Sequence, residues 1–270
     1  MIREEQMKLE YTGEPIISIR DLVLNYGNKT VLHWINLDVF KGQIIGYIGP
    51  NGAGKSTTVK VLLGLIADYK GEVKILGRDI SDGDVEYKRK IGYVPEVADI
   101  YESLTAQEYL TFIGQLYGME YAQADHKAYQ LMTSFELDAM YRSRISSFSK
   151  GMKQKVLLIS SLIHNPEILF LDEPLSGLDA NSVMVVKELL ACLAAQGKTI
   201  FYSSHIMDVV EKISNRIILL DNGKIIADGS FHELQQQSKE GSLEQVFSQL
   251  TGSHDHKDIA KRMVSIVQEV

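Results

Sequence analysis

Residues 41–66 read KGQIIGYIGPNGAGKSTTVKVLLGLI, and the change of character inside them decides the fold. The opening, KGQIIGYIG, is a short β-rich run ending in glycine. The close, KSTTVKVLLGLI, carries apolar residues at helical spacing. Strand, glycine-rich turn, helix is how a nucleotide-binding α/β unit begins. The turn itself, GPNGAGKST (49–57), matches G-x-x-x-x-G-K-[ST]. Gly49, Gly52 and Gly54 let backbone N–H groups turn inward around phosphate oxygens. The helix that follows aims the partial positive charge of its N-terminus at the same anion. Lys55 then neutralises the β- and γ-phosphates, and Ser56 offers a hydroxyl to Mg2+. The remaining loop residues, Pro50, Asn51, Ala53 and Thr57, are assigned to the same nucleotide. A glycine-rich turn that binds nothing is the alternative, and the flanking strand and helix argue against it.

A second apolar run supplies the acids such a site needs. ILFLDEP (168–174) is a strand pattern ending in two carboxylates, and its apolar run places it inside a parallel sheet. Asp172 and Glu173 therefore emerge at the carboxyl edge, where ligands bind in open α/β folds. Asp172 is the expected Mg2+ ligand, and Glu173 is placed to take a proton from an attacking water. His205 follows the strand KTIFYSS and is expected to reach the γ-phosphate from the side opposite Lys55. Tyr26, at the end of the first strand, is either a stacking face for a purine or a core aromatic; the sequence leaves both open.

The rest of the chain sets limits. It has 270 residues, enough for one large domain, with 45% hydrophobic and 23% charged residues. A formal net charge of -7 gives no general attraction to nucleic acid, so a bound anion must be held by local geometry. Cys192 is the single cysteine and is expected to be a small core residue. No apolar run approaches the ~20 residues that span a bilayer, so a cytoplasmic location is expected. The strands IISIRDLVLNY (16–26) and TVLHWINLDVF (30–40) precede the glycine turn, and GEVKILGRDI (71–80) reads as a hairpin. From about residue 105 to 164 the spacing is helical, as in an insertion. The β pattern returns at 167–174, 198–205 and 216–229, the last with an Asn222-Gly223 hairpin signal. HDHK (254–257) offers too few ligands for a closed metal site. Ile259, Met263 and Ile266 recur at helical spacing near the C-terminus, which predicts packing.

SSFSKGMKQKV (146–156) opens another helix with Ser, Gly and cations, and it contains no acid, histidine or thiol. By itself it reads as a capped helix. Taken in order, Tyr26, GPNGAGKST, IGYVPE (91–96), FSKGMKQKV, ILFLDEP, SGLD (176–179) and SSH (203–205) resemble the ATP-binding subunits of ABC transporters, over about residues 16–252. The resemblance implies a P-loop NTPase core with a mainly parallel sheet, an antiparallel β subdomain and an α-helical insertion. The implied layout is a polar leader (1–15), an ATPase domain (16–230, helical part about 97–165) and a helical extension (231–270).

It also implies roles. Tyr26 stacks on adenine; Lys55, Ser56, Asp172, Glu173 and His205 serve phosphate, Mg2+, base and γ-phosphate switch. Asp179 belongs to a dimer-crossing loop, and Ser149 and Gly151 cap the ATP of a second subunit. Two chains, identical or not, then pair head to tail around two ATP. Residues 97–110 form the rim of a groove for a transmembrane permease, which holds the subunit at the inner face of the membrane. Two departures stand out: FSKGM has Lys150 and Met152 where LSGGQ is common, and Glu96 stands where many members have Gln. A carboxylate is the stronger ligand for a hard cation, so Glu96 joins Ser56 and Asp172 as a metal ligand. Together with SLEQVFSQLTG (242–252), these features look most like exporter subunits for drugs, lantibiotics or small molecules. Two other classes compete: a non-transport ABC ATPase acting on ribosome or DNA, and a P-loop metabolic kinase, in which 146–156 has no task.

Overall fold

The computed structural model describes residues 13–97, 100–204, 207–238, 241–251 and 256–268. In chain order these form β1 (Ile17–Tyr26), β2 (Lys29–Val39), β3 (Ile44–Ile48), α1 (Lys55–Leu62), β4 (Lys70–Ile75), β5 (Arg78–Asp79) and β6 (Ile91–Val94). Next come α2 (Ala106–Leu116), α3 (Tyr121–Ser134), α4 (Lys150–Leu162), β7 (Ile168–Asp172), α5 (Ala180–Ala195) and β8 (Thr199–Ser203). The chain then runs through α6 (Met207–Ile213), β9 (Arg216–Asp221), β10 (Lys224–Gly229), α7 (Phe231–Ser238), α8 (Leu243–Thr251) and α9 (His256–Gln268).

The larger sheet has the order β10-β9-β3-β8-β7-β6. Its strands pair in parallel except for β10, which returns antiparallel from the Asn222-Gly223 turn. Every residue of β3, β7 and β8 is buried. The two-residue period sends alternate side chains into two different cores. Ile44 and Ile48, Leu169 and Leu171, Ile200 and Tyr202 enter one, with the helices. Ile45 and Tyr47, Ile168 and Phe170, and Phe201 enter the other. That second core is shared with the smaller antiparallel sheet, β2-β1-β4-β5, through Ile17, Ile19, Leu22 and Leu24 of β1. Such unbroken apolar runs only make sense in a strand covered on both faces.

Three helices, α2, α3 and α4, occupy the stretch between β6 and β7. A capping box starts α2: the Thr105 hydroxyl accepts from Glu108 N, and the Glu108 carboxylate accepts from Thr105 N. Helix α4 runs beneath β6 and buries Val156, Leu157, Leu158 and Ile159, each worth ~1.5–3 kcal/mol of burial.

One expectation changes, and two points are added to the sequence reading. β6 is a full parallel strand beside β7, although IGYVPE reads from sequence only as a motif. Cys192 is exposed, not core. Helix α5 buries the Ser182, Val186, Leu190 face, spaced by four, and Cys192 lies off it. Met263 and Ile266 of α9 are 63% and 59% exposed and do not pack on this chain. The leader up to residue 12 and residues 254–255 of the HDHK stretch lie outside the described residues.

Candidate functional site

Strands β3, β8, β7 and β6 lie side by side and parallel, so their carboxyl ends open onto one edge. There β3 delivers the glycine turn, β7 delivers Asp172 and Glu173, and β6 delivers Glu96 two residues later. β8 delivers Ser203, Ser204 and then His205, which lies outside the described residues. Four segments remote in sequence thus meet because their strands are neighbours.

The turn is built to leave room. Gly54, the residue before α1, sits at φ 106, and a Cβ there would meet Leu32 Cδ2 at 2.7 Å. The Gly54 carbonyl accepts from Thr58 N at 2.9 Å and from the Thr58 hydroxyl at 3.0 Å, closing the first helical turn. Ala53 is buried and accepts from Gly223 N at 3.0 Å, which ties the loop to the β9–β10 turn. Lys55 curls over the loop and donates to the carbonyls of Gly49 at 2.7 Å and Pro50 at 3.1 Å. Burial pushes its ammonium below the ordinary lysine range, against the pull of Asp172, Glu173 and Glu96.

A cavity of about 500 Å³ opens over this loop. Asn51, Gly52, Gly54, Lys55, Ser56 and Thr57 line it, and Glu96 and Asp172 face them. Asp172 is 6% exposed, and its Oδ2 accepts from the Ser56 hydroxyl at 3.2 Å. Hydroxyl, buried carboxylate and a second carboxylate at one wall form an oxygen set suited to a hard divalent cation. Backbone amides, a lysine and a helix N-terminus form the complementary set for phosphate. Glu173 stands just behind, at φ 48, with its N–H donating to Ser203 O at 3.0 Å.

Lys29 and Val31 also line the cavity, and the sequence reading missed both. The signal was the two-residue turn Gly27-Asn28, which sets Lys29 opposite Tyr26 across the β1–β2 ladder. Tyr26 itself is 52% exposed, which removes the core alternative, and it pairs across the ladder with Lys29 of the cavity lining.

Residues 149–155 contribute nothing to that cavity lining. Ser149 caps α4, its hydroxyl accepting from Met152 N at 3.2 Å, and it faces solvent. Gly151 has a use inside its own chain: a Cβ there would meet Gly177 O at 2.5 Å. The loop 174–178 therefore packs on the first turn of α4, and Gln154 holds it with a 3.1 Å bond to Pro174 O. Asp179 caps α5 and accepts from Ser182 N at 2.9 Å. The Ser182 hydroxyl and N–H, helped by Lys155 at 3.6 Å, push its carboxyl down to about 2. Upstream of α4, Ile145 N donates to Leu104 O and Ser146 N to Glu102 O, both at 2.9 Å. Lys153 pairs with Glu102. The rim at 101–104 is thus bonded to the start of α4, while Val97 and Tyr101 stand 73% and 66% exposed.

Fold and site define a P-loop nucleoside-triphosphatase, with a solvent-facing helix tip remote from its own phosphate loop. The family model for ABC transporter matches residues 32–176. The linearmycin resistance ATP-binding protein of Bacillus subtilis is 37% identical over 209 residues, 77% of this chain and 67% of its own length. A solved ATP-binding subunit of an ABC transporter superposes with a TM-score of 0.82 at 32% identity, covering 87% of this chain and 99% of that one. A dimeric ATP-binding cassette in a post-hydrolysis state with ADP and Pi gives 0.73 at 25% identity, covering 79% and 98%. The chain belongs to the ABC transporter family, as an ATP-binding subunit that hydrolyses ATP.

Proposed function

We propose that this subunit energises a separate membrane permease of the exporter type by closing on a second ATP-binding subunit. In this reading Tyr26 stacks on adenine, and the loop 49–57 with Lys55 grips the phosphates. Ser56, Asp172 and Glu96 would hold Mg2+, which when bound neutralises phosphate charge. Glu173 takes the proton of the attacking water, a task worth ~10²–10⁴-fold in rate, and His205 senses the γ-phosphate. Ser149, Gly151 and Asp179 of the opposing subunit complete the enclosure.

One observation carries the proposal: the phosphate cavity is lined by the 51–57 loop with Lys29, Val31, Glu96 and Asp172, while the Ser149 helix tip lies exposed outside that lining on the same chain. A second phosphate-binding helix start with no phosphate cavity of its own calls for a partner's. No described helix is long and apolar enough to cross a membrane. The exposed Val97 and Tyr101 at the rim offer a permease apolar contact, so attachment at the cytoplasmic face runs through it. The resistance named for the Bacillus relative supports export.

The test mixes two disabled chains, Lys55→Ala and Ser149→Arg, each reconstituted with the permease. A mixed dimer keeps one intact composite site. ATP hydrolysis that returns only on mixing supports head-to-tail pairing; two inactive chains that stay inactive together overturn pairing of identical chains.

A further inference from the structure

Ser203 and Ser204 stand at the carboxyl end of β8, beside the acids that end β7. We infer that they are positioning residues, one for each acid at the end of β7. Ser203 aims the cation ligand Asp172, and Ser204 aims the base Glu173.

Register is the starting point. β7 and β8 pair in parallel with Asp172 directly opposite Ser203, so the next residues, Glu173 and Ser204, leave the sheet side by side. The Ser203 hydroxyl donates to Asp172 Oδ1, while Ser56 donates to Oδ2 from the phosphate loop. Two hydroxyls on opposite oxygens leave this carboxylate one orientation. The Ser204 hydroxyl donates to Glu173 Oε2 at 3.1 Å. Backbone support comes from the same place, since Glu173 N donates to Ser203 O at 3.0 Å. Glu173 needs that support because φ 48 is a left-handed conformation that only a surrounding structure can impose on a side-chain-bearing residue.

Both serines are 2% exposed, so their hydroxyls cannot trade these acids for bulk water. Each hydroxyl donates to an acid that the chemistry needs at a fixed angle, and Ser203 also reaches Leu171 O at 3.5 Å. A misplacement of ~1 Å in such a group costs on the order of 10²-fold in rate.

The inference rests on the proposed roles of Asp172 and Glu173, and the experiment separates the two. ATP turnover, ATP affinity and unfolding temperature are measured for the subunit reconstituted with its permease. Ser204→Ala should lower kcat about 10- to 10²-fold with ATP affinity and unfolding temperature unchanged, and Ser204→Thr should restore kcat. Ser203→Ala should raise several-fold the Mg2+ concentration that gives half-maximal turnover, and Ser203→Thr should reverse that. In a Glu173→Gln background, Ser204→Ala should add no further loss. Wild-type kcat in Ser204→Ala, a loss that threonine fails to rescue, or a multiplied loss in the double variant overturns the inference while leaving Glu173 as base. Wild-type turnover in Glu173→Gln alone overturns the base assignment, and the role of Ser204 falls with it.

Discussion

The phosphate loop and the Ser149 helix tip are both helix starts made of Gly, Ser and Lys, yet they are built differently. At the loop, every element points inward. Gly54 packs on Leu32, Ala53 is bonded to Gly223, and Lys55 is folded back onto two carbonyls. At the tip, Ser149 and Lys150 face solvent, and the hydroxyl does no more than cap its own helix. The first arrangement grips phosphate with one chain's residues alone. The second, in the proposed reading, caps the phosphate held by a partner, and its inner side is committed to the loop that leads to Asp179.

The sharpest way to break this contrast is at the phosphate loop. Glu173→Gln should slow hydrolysis at least ~10²-fold while ATP-dependent dimers accumulate on size exclusion. Equal turnover in variant and wild type would show that the loop side lacks the base assigned to it. A smaller effect sharpens the other half. Gly151→Ala places a methyl 2.5 Å from Gly177 O, an overpacking that should cost ~1–3 kcal/mol in the isolated chain. Thermal unfolding of the nucleotide-free protein would detect it, and an unshifted midpoint would mean this glycine matters only to the partner's ATP. The smallest effect lies at Asp179. Its carboxyl is held down to about 2 in the folded chain against 3.8 ordinarily, so its contribution is present above pH 4 and disappears as pH falls through about 2. Asp179→Asn should therefore shift the urea midpoint at neutral pH and match wild type near pH 2. A pH-independent difference would point to packing instead.

Much of this was legible in the sequence because the relevant signals are local. The 49–57 turn declares itself through spacing, and the apolar runs at 168–171 and 199–202 could only be covered strands. Asn222-Gly223 forms the hairpin it encodes. What escaped depends on neighbours far apart in the chain. β6 is four residues long and is a strand only because β7 lies beside it. Gly151 also packs against Gly177, 26 residues downstream, a contact that its own motif does not announce. Cys192 sits in an apolar run whose buried face is set by α5's neighbours. The serine pair at 203–204 gained meaning only from the β7–β8 register.

The bonds from Leu104 and Glu102 to Ile145 and Ser146, with the Lys153–Glu102 pair, have a mechanical result. In the proposed reading, a permease segment leaning on Tyr101 would move the rim and the root of α4 together, because these bonds join them. On that reading, a push at the membrane side would reach Ser149 through the start of α4, and a shift imposed by nucleotide at Ser149 would return outward along the same bonds.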